Sequence, residues 1–176
     1  MKLYKSVVVA FLVILFVSPI SFADEGAEAV ALGGYKLDFP AVWQRVEVKR
    51  SLPELLFVRQ FANRVVHTAG IMGESLVGDV IQEADEAISS AEAKEGRAEL
   101  LVADPFMTAD GVLGKRVVVK IVAQELNFGT PIIFDSIFLP KPDGGSVRFK
   151  LRCGEPQYQE LSKEFQDIVF NGAMTP

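Results

Sequence analysis

Cysteine and histidine are each used once in this chain, at Cys153 and His67. A lone cysteine cannot close an internal disulfide, so folding has to rest on an apolar core. A lone histidine leaves one candidate base for a serine or cysteine triad. His67 sits between Val66 and Thr68 in an expected strand, with no activating residue at a diagnostic spacing. One histidine and one cysteine cannot build the usual zinc site either. Positive charge is also scarce, with 18 basic residues against 23 acidic ones, and without a clustered basic surface no nucleic-acid partner is expected. Gly111-Val-Leu-Gly114 lacks the lysine and the strand-to-helix setting of a phosphate loop. Glu83, Asp85 and Glu86, and Asp104 with Asp110, lack the alternating acids and glycine of a calcium loop, and read as solvated helix-face and turn residues. No catalytic residue, metal site or cofactor is expected.

The long apolar run of the chain, Val7 to Val17, follows Lys2 and Lys5 and precedes Ser18-Pro19 and Ser21-Phe22-Ala23. A basic start, a short apolar segment and small residues before a cut are the parts of a secretory signal peptide. The run is too short for a permanent span, which takes roughly 20 apolar residues. Residues 1–23 are therefore expected to be cleaved, with no membrane span afterwards and a periplasmic or secreted destination. Losing Lys2 and Lys5 leaves 16 basic residues against 23 acidic ones, a net charge of −7. The small, acidic, aperiodic stretch 24–33 reads as a flexible leader, and 34–172 as a single domain.

Within that domain Tyr35, Leu37 and Phe39 alternate with Lys36 and Asp38, the period of a half-buried strand. Pro40 stops it and turns Trp43 back toward the strand. Gln44 to Arg50 alternates again and is expected to pair with that first strand, followed by Glu54 to Ala62 and Val65 to Glu74. Between Gly78 and Gly96 the period changes: Val80, Ile81, Ala84, Ile88 and Ala91 recur as on one face of a helix. Asp79 with Gln82 resembles a capping box, and Gly96 suits the far end. Arg97 to Ala103, Val112 to Ala123, Pro131 to Leu139 and Ser146 to Arg152 read as four more strands, separated by turn residues at Asp110-Gly111, Asn127 to Gly129 and Asp143 to Gly145. Apart from Asp135 and Ser136 the third of these is apolar on both faces, so it belongs inside a sheet covered on both sides. A closing helix starts near Pro156, buries Tyr158, Leu161, Phe165, Ile168 and Val169, and ends at Asn171-Gly172. The expected class is α+β: an α/β/α sandwich with a central, mainly antiparallel sheet of about six to eight strands, one helix mid-chain and one at the C-terminus.

An exported leader, the Tyr-x-Leu-x-Phe-Pro-x-x-Trp opening at Tyr35 to Trp43, antiparallel strands interrupted by one helix, and a terminal helix carrying Phe165 to Val169 together resemble the PsbP-like superfamily. That superfamily includes photosystem II extrinsic subunits, a small nuclear Ran-binding protein and secreted bacterial proteins of unknown role. The resemblance covers most of residues 34–170. It implies an α/β/α sandwich and a binding or assembly role without a shared catalytic site, and it transfers no functional residues.

The final strand carries the candidate binding residues. Arg148, Lys150 and Arg152 alternate with Val147, Phe149 and Leu151, so three cationic heads form a line able to meet an acidic partner. The competing reading is that they blunt an edge strand or pair with the protein's own carboxylates. Cys153 follows the same line, which can lower a thiol pKa; the alternative is a small apolar residue at a strand end. The function expected is an exported, non-enzymatic binding or assembly module that contacts an envelope protein. A periplasmic carrier of an apolar ligand or lipid is the alternative, drawn from thirteen phenylalanines. An envelope hydrolase is the remote one.

Overall fold

The computed structural model describes residues 27–48, 53–62, 68–94, 97–122 and 130–175. The expected signal peptide, His67, Gly96 and the Asn127–Gly129 turn lie outside these residues. In chain order the elements are β1 (Glu28–Leu32), β2 (Tyr35–Phe39), β3 (Gln44–Arg45), β4 (Leu55–Gln60), β5 (Thr68–Leu76), α1 (Val80–Glu92), β6 (Ala98–Met107), β7 (Leu113–Ile121), β8 (Ile132–Pro140), β9 (Ser146–Gly154), α2 (Glu155–Phe170) and β10 (Ala173–Met174). Seven of the strands form one sheet in the order β3-β4-β5-β9-β8-β7-β6, and β1-β2-β10 form a smaller one. Neighbouring strands are antiparallel throughout. The class is the α+β sandwich expected, with a helix on each face of the large sheet.

Pro40 ends β2 as its chemistry requires, and the Trp43 N–H donates to the Pro40 carbonyl at 2.9 Å, closing the turn. That turn brings Phe39 into a parallel stack on Phe57 of β4, with ring centroids 3.9 Å apart. Tyr35 meets Phe149 of β9 edge-on at 6.4 Å. These rings join Leu37, Ile71, Leu151, Leu161 and Phe165 in one core between the large sheet and a lid made of α2 and the small sheet. On the other face α1 presents Val80, Ala84, Ala87 and Ile88 to Leu76, Val117, Val119 and Phe138. Asp79 caps α1, its Oδ1 accepting from the Gln82 N–H at 2.9 Å. The Gln82 side chain does not reach back to complete the box but donates to Glu86 at 3.1 Å.

The structure corrects the sequence reading at four points. Residues 28–32 of the expected flexible leader form β1, which pairs along its whole length with β2. The link is Gly33-Gly34, both at positive φ, the turn whose twist suits a two-residue hairpin. Within the described residues 44–48 nothing pairs with β2; Gln44–Arg45 is the strand, and it pairs with β4 because the Pro40 turn carries the chain to the other sheet. Ile81 is 59% exposed, since the helix seats on the sheet through the small Ala84 and Ala87 instead. Most consequentially, β9 lies in the middle of the large sheet, between β5 and β8. The edges are β3, two residues long, and β6, which has a bulge at Leu101 and a proline at Pro105, the usual protections against edge-to-edge pairing.

Candidate functional site

The alternation along β9 places Val147, Phe149, Leu151 and Cys153 in the main core and Arg148, Lys150 and Arg152 on the opposite face. On that face α1 lies over β6, β7 and β8. In the other half α1 touches β9 and packs on Leu76 at the end of β5; among the described residues no helix covers the rest of β3, β4, β5 and β9. Cross-strand register lays out this open half residue by residue: Glu74 faces Arg148, Met72 faces Lys150 and Gly70 faces Arg152. One strand further out, Leu56 faces Met72 and Val58 faces Gly70. All of these side chains are partly exposed, in contrast to the fully buried Phe57 and Ile71 behind them. The three residues singled out in the sequence are therefore brought together, on a central strand.

Their charges are met unequally. Arg148 donates from both Nε and Nη2 to Glu74 Oε1, the Nε contact at 2.8 Å, and its guanidinium lies 5.8 Å from the centroid of Phe138. Lys150 Nζ reaches the same carboxylate oxygen only at 3.9 Å. Burial, and then the charge of Arg148, hold the Lys150 pKa below that of a free lysine. Arg152 makes no ion pair or hydrogen bond among the described residues.

The opposite face holds a polar cluster that spacing alone did not single out. Asp135 is fully buried. Arg116 grips it with Nε at 2.9 Å from Oδ1 and Nη2 at 2.6 Å from Oδ2. The Tyr158 hydroxyl donates to Oδ2 at 3.1 Å, and the Ser162 hydroxyl reaches it at 3.4 Å. Burial alone lowers the Arg116 pKa, but the hydrogen bond and charge of Asp135 outweigh it and hold the guanidinium above its ordinary value. Every group is paired and Asp135 itself is sealed from water, so this cluster fastens α2 to β7 and β8. The signal for it was a lone aspartate inside an apolar strand.

Cys153 is fully buried. Burial first, then the charge of Asp135, push its thiol up to about 12, with Arg152 pulling weakly the other way. The basic neighbours thus fail to make a thiolate, because their heads lie on the far face of the strand. Native protein at neutral pH is expected to resist thiol reagents until it unfolds; labelling of the folded protein within minutes would contradict this placement. Two open grooves are formed by described residues. One of about 580 Å³ lies beside α2, lined by Asp38, Pro40, Glu160, Lys163, Glu164 and Asp167 among others. The other, of about 430 Å³, lies beside Gly34, Lys141 and Pro142. Both are rimmed by charged groups, unlike an enclosed apolar ligand cavity. Among the described residues no group of three or more histidine, cysteine, aspartate or glutamate side chains is placed to hold a metal, and no helix is long and apolar enough to cross a membrane.

No protein-family model and no curated protein matches the chain. Solved structures do. The solution structure of cyanobacterial PsbP (CyanoP) from Synechocystis sp. PCC 6803 is 15% identical with a TM-score of 0.57, over 90% of this chain and 98% of that one. A Pseudomonas aeruginosa protein of unknown function is 12% identical with a TM-score of 0.55, over 86% of this chain and 99% of that one. A variant of the protein Mog1 is 12% identical with a TM-score of 0.54, over 85% of this chain and 96% of that one. Each neighbour is spanned almost end to end, so the likeness extends to the whole arrangement of a central sheet between helices. At these identities it is a likeness of architecture: the chain has the PsbP-like fold.

Proposed function

We propose that the chain is an exported, non-enzymatic binding or assembly module of the cell envelope, acting by protein–protein contact through the half of the large sheet that α1 leaves open. The observation that carries this reading is the place of Arg148, Lys150 and Arg152 on a central strand. Outward charges on an edge strand keep other chains away. A central strand already has both neighbours, so that role does not apply to β9. Three partly buried cations against one carboxylate carry a desolvation cost that an anionic partner offsets. Leu56, Val58 and Met72 beside them supply apolar contact area. The core on the other face is filled by its own rings, which favours surface binding over carriage of an apolar ligand.

A photo-crosslinking side chain at Met72 tests the reading in envelope extract. Wild-type protein, recovered with Asp24 as its first residue, is expected to give a discrete adduct. Lys150→Ser with Arg152→Ser is expected to abolish it while changing stability by no more than about 0.5 kcal/mol, because neither residue anchors the fold. Arg148 is left in place, since its removal strands Glu74. An adduct that persists in the double variant would remove the open face as the binding surface.

A further inference from the structure

We propose that Arg152, together with the bare backbone of Gly70, is the seat for one carboxylate of an extended acidic segment of the partner; this rests on the reading above and names the chemistry that the open face takes. The register between β5 and β9 contains a repeat. Glu74 and Arg148 are direct cross-strand partners, and so are Gly70 and Arg152, four residues further along each strand. In the first pair a carboxylate from β5 accepts two N–H groups of the guanidinium. In the second pair the guanidinium is present and the carboxylate is missing, because β5 has glycine there. The chain thus displays, at Glu74, the contact that an incoming carboxylate would make at Gly70.

Room and charge agree with this. A Cβ built on Gly70 would meet only the Phe57 carbonyl oxygen at 3.7 Å and Leu56 Cδ1 at 3.8 Å, ordinary contact distances, so the glycine is not forced by crowding. Its φ is not among the positive values, so backbone conformation does not demand glycine either. What the glycine does is leave the sheet floor bare between Val58 and Arg152. Among the described residues Glu74 is the carboxylate that meets Arg148 and Lys150, and Arg152, four residues along the strand from Arg148, has no ion pair. Same-side residues on a strand stand roughly 7 Å apart. An extended segment with acids at alternate positions therefore matches the spacing from Lys150 to Arg152, and a planar carboxylate matches the fork of a guanidinium.

The test titrates the full chain against a labelled, acetylated peptide alternating glutamate and serine, followed by fluorescence anisotropy. Binding is expected to weaken with added salt. Arg152→Gln is expected to weaken it roughly tenfold to a hundredfold, the range for losing a charged hydrogen-bond partner. Gly70→Glu, which places a carboxylate of the chain's own in the seat, is expected to weaken it as much, whereas Gly70→Ala retains it. Ser89→Glu, adding the same charge on the exposed side of α1, should have little effect. Equal binding by wild type, Arg152→Gln and Gly70→Glu would overturn the seat. So would Arg152-dependent binding to phosphatidylglycerol vesicles with none to the peptide. If the seat fails while the Met72 adduct still depends on Lys150 and Arg152, the open face stands and only the carboxylate chemistry falls. If the peptide result holds and Met72 captures no protein, the seat stands and the envelope partner falls.

Discussion

Replacing Arg116 with methionine is expected to destabilise the protein by about 3–5 kcal/mol, the usual penalty for removing one partner of a buried ion pair. Asp135 has no exposure to water, and the guanidinium supplies its charged hydrogen bonds to both oxygens. Without it the carboxylate keeps, among the described residues, Tyr158 and Ser162, two neutral hydroxyls. Either the charge stays buried unpaired or the group takes up a proton at the expense of folding free energy. A second substitution separates loss of the pair from loss of packing: Asp135→Leu in the Arg116→Met background removes the stranded charge and fills similar volume. Most of the lost stability is expected to return, since apolar replacement of a whole buried pair is often close to neutral. Urea midpoints for the two single variants and the double variant measure this. A cost below about 1 kcal/mol for Arg116→Met, or no recovery in the double variant, would show that the cluster does not hold α2 on the sheet. The consequence reaches the binding surface, because β8 carries Asp135 on one face and packs beside β9, whose other face is the open one.

How far these features could be read from sequence depends on the range of the interactions involved. The helices were legible because period is local: Leu161, Phe165, Ile168 and Val169 mark the buried stripe of α2 without reference to the sheet. The strands β8 and β9 were legible as strands for the same reason, and strict alternation on β9 correctly separated a core face from a polar one. Alternation does not say which strands lie alongside, however. The three cations suggested an edge, and only the pairing of β9 with β5, from residues more than seventy positions earlier, puts them at the centre. The same distance hid Glu74, the partner of Arg148. Asp135 stands out as the one charge within an apolar strand, whereas Arg116 is one of three cations on β7, and nothing in their spacing joins either to Tyr158 and Ser162 on α2. The β1 hairpin was within reach, because Gly33-Gly34 is a two-residue turn signal, but the acidic residues before it pointed to a leader.

Raising the pH from 8 to 11 is expected to lower stability by about 4 kcal/mol, through two buried groups that keep their protons longer in the folded state. Burial raises the Cys153 thiol from 9.0 to about 12 and the Tyr35 phenol from 10.0 to about 12. Tyr35 is fully buried and donates its proton to the Pro140 carbonyl oxygen at 2.7 Å, so ionisation would also lose that bond. For each group the unfolded chain releases its proton first as pH rises, which draws the equilibrium toward unfolding. The stabilisation is therefore whole below about pH 9 and disappears between about pH 9 and 12. At pH 11 the thiol accounts for about two pKa units and the phenol for about one, at about 1.4 kcal/mol per unit. Tyr158, also raised chiefly by burial, acts in the same direction. Lys150 acts in the opposite one, because burial and Arg148 make the folded state give up its proton early. The Cys153→Ala variant isolates the largest contribution: it starts less stable at pH 8, from the small cavity it leaves, but its stability should fall far less steeply between pH 9 and 11. Parallel curves for wild type and variant would show that the thiol ionises as readily in the folded protein as in the unfolded chain, against its burial.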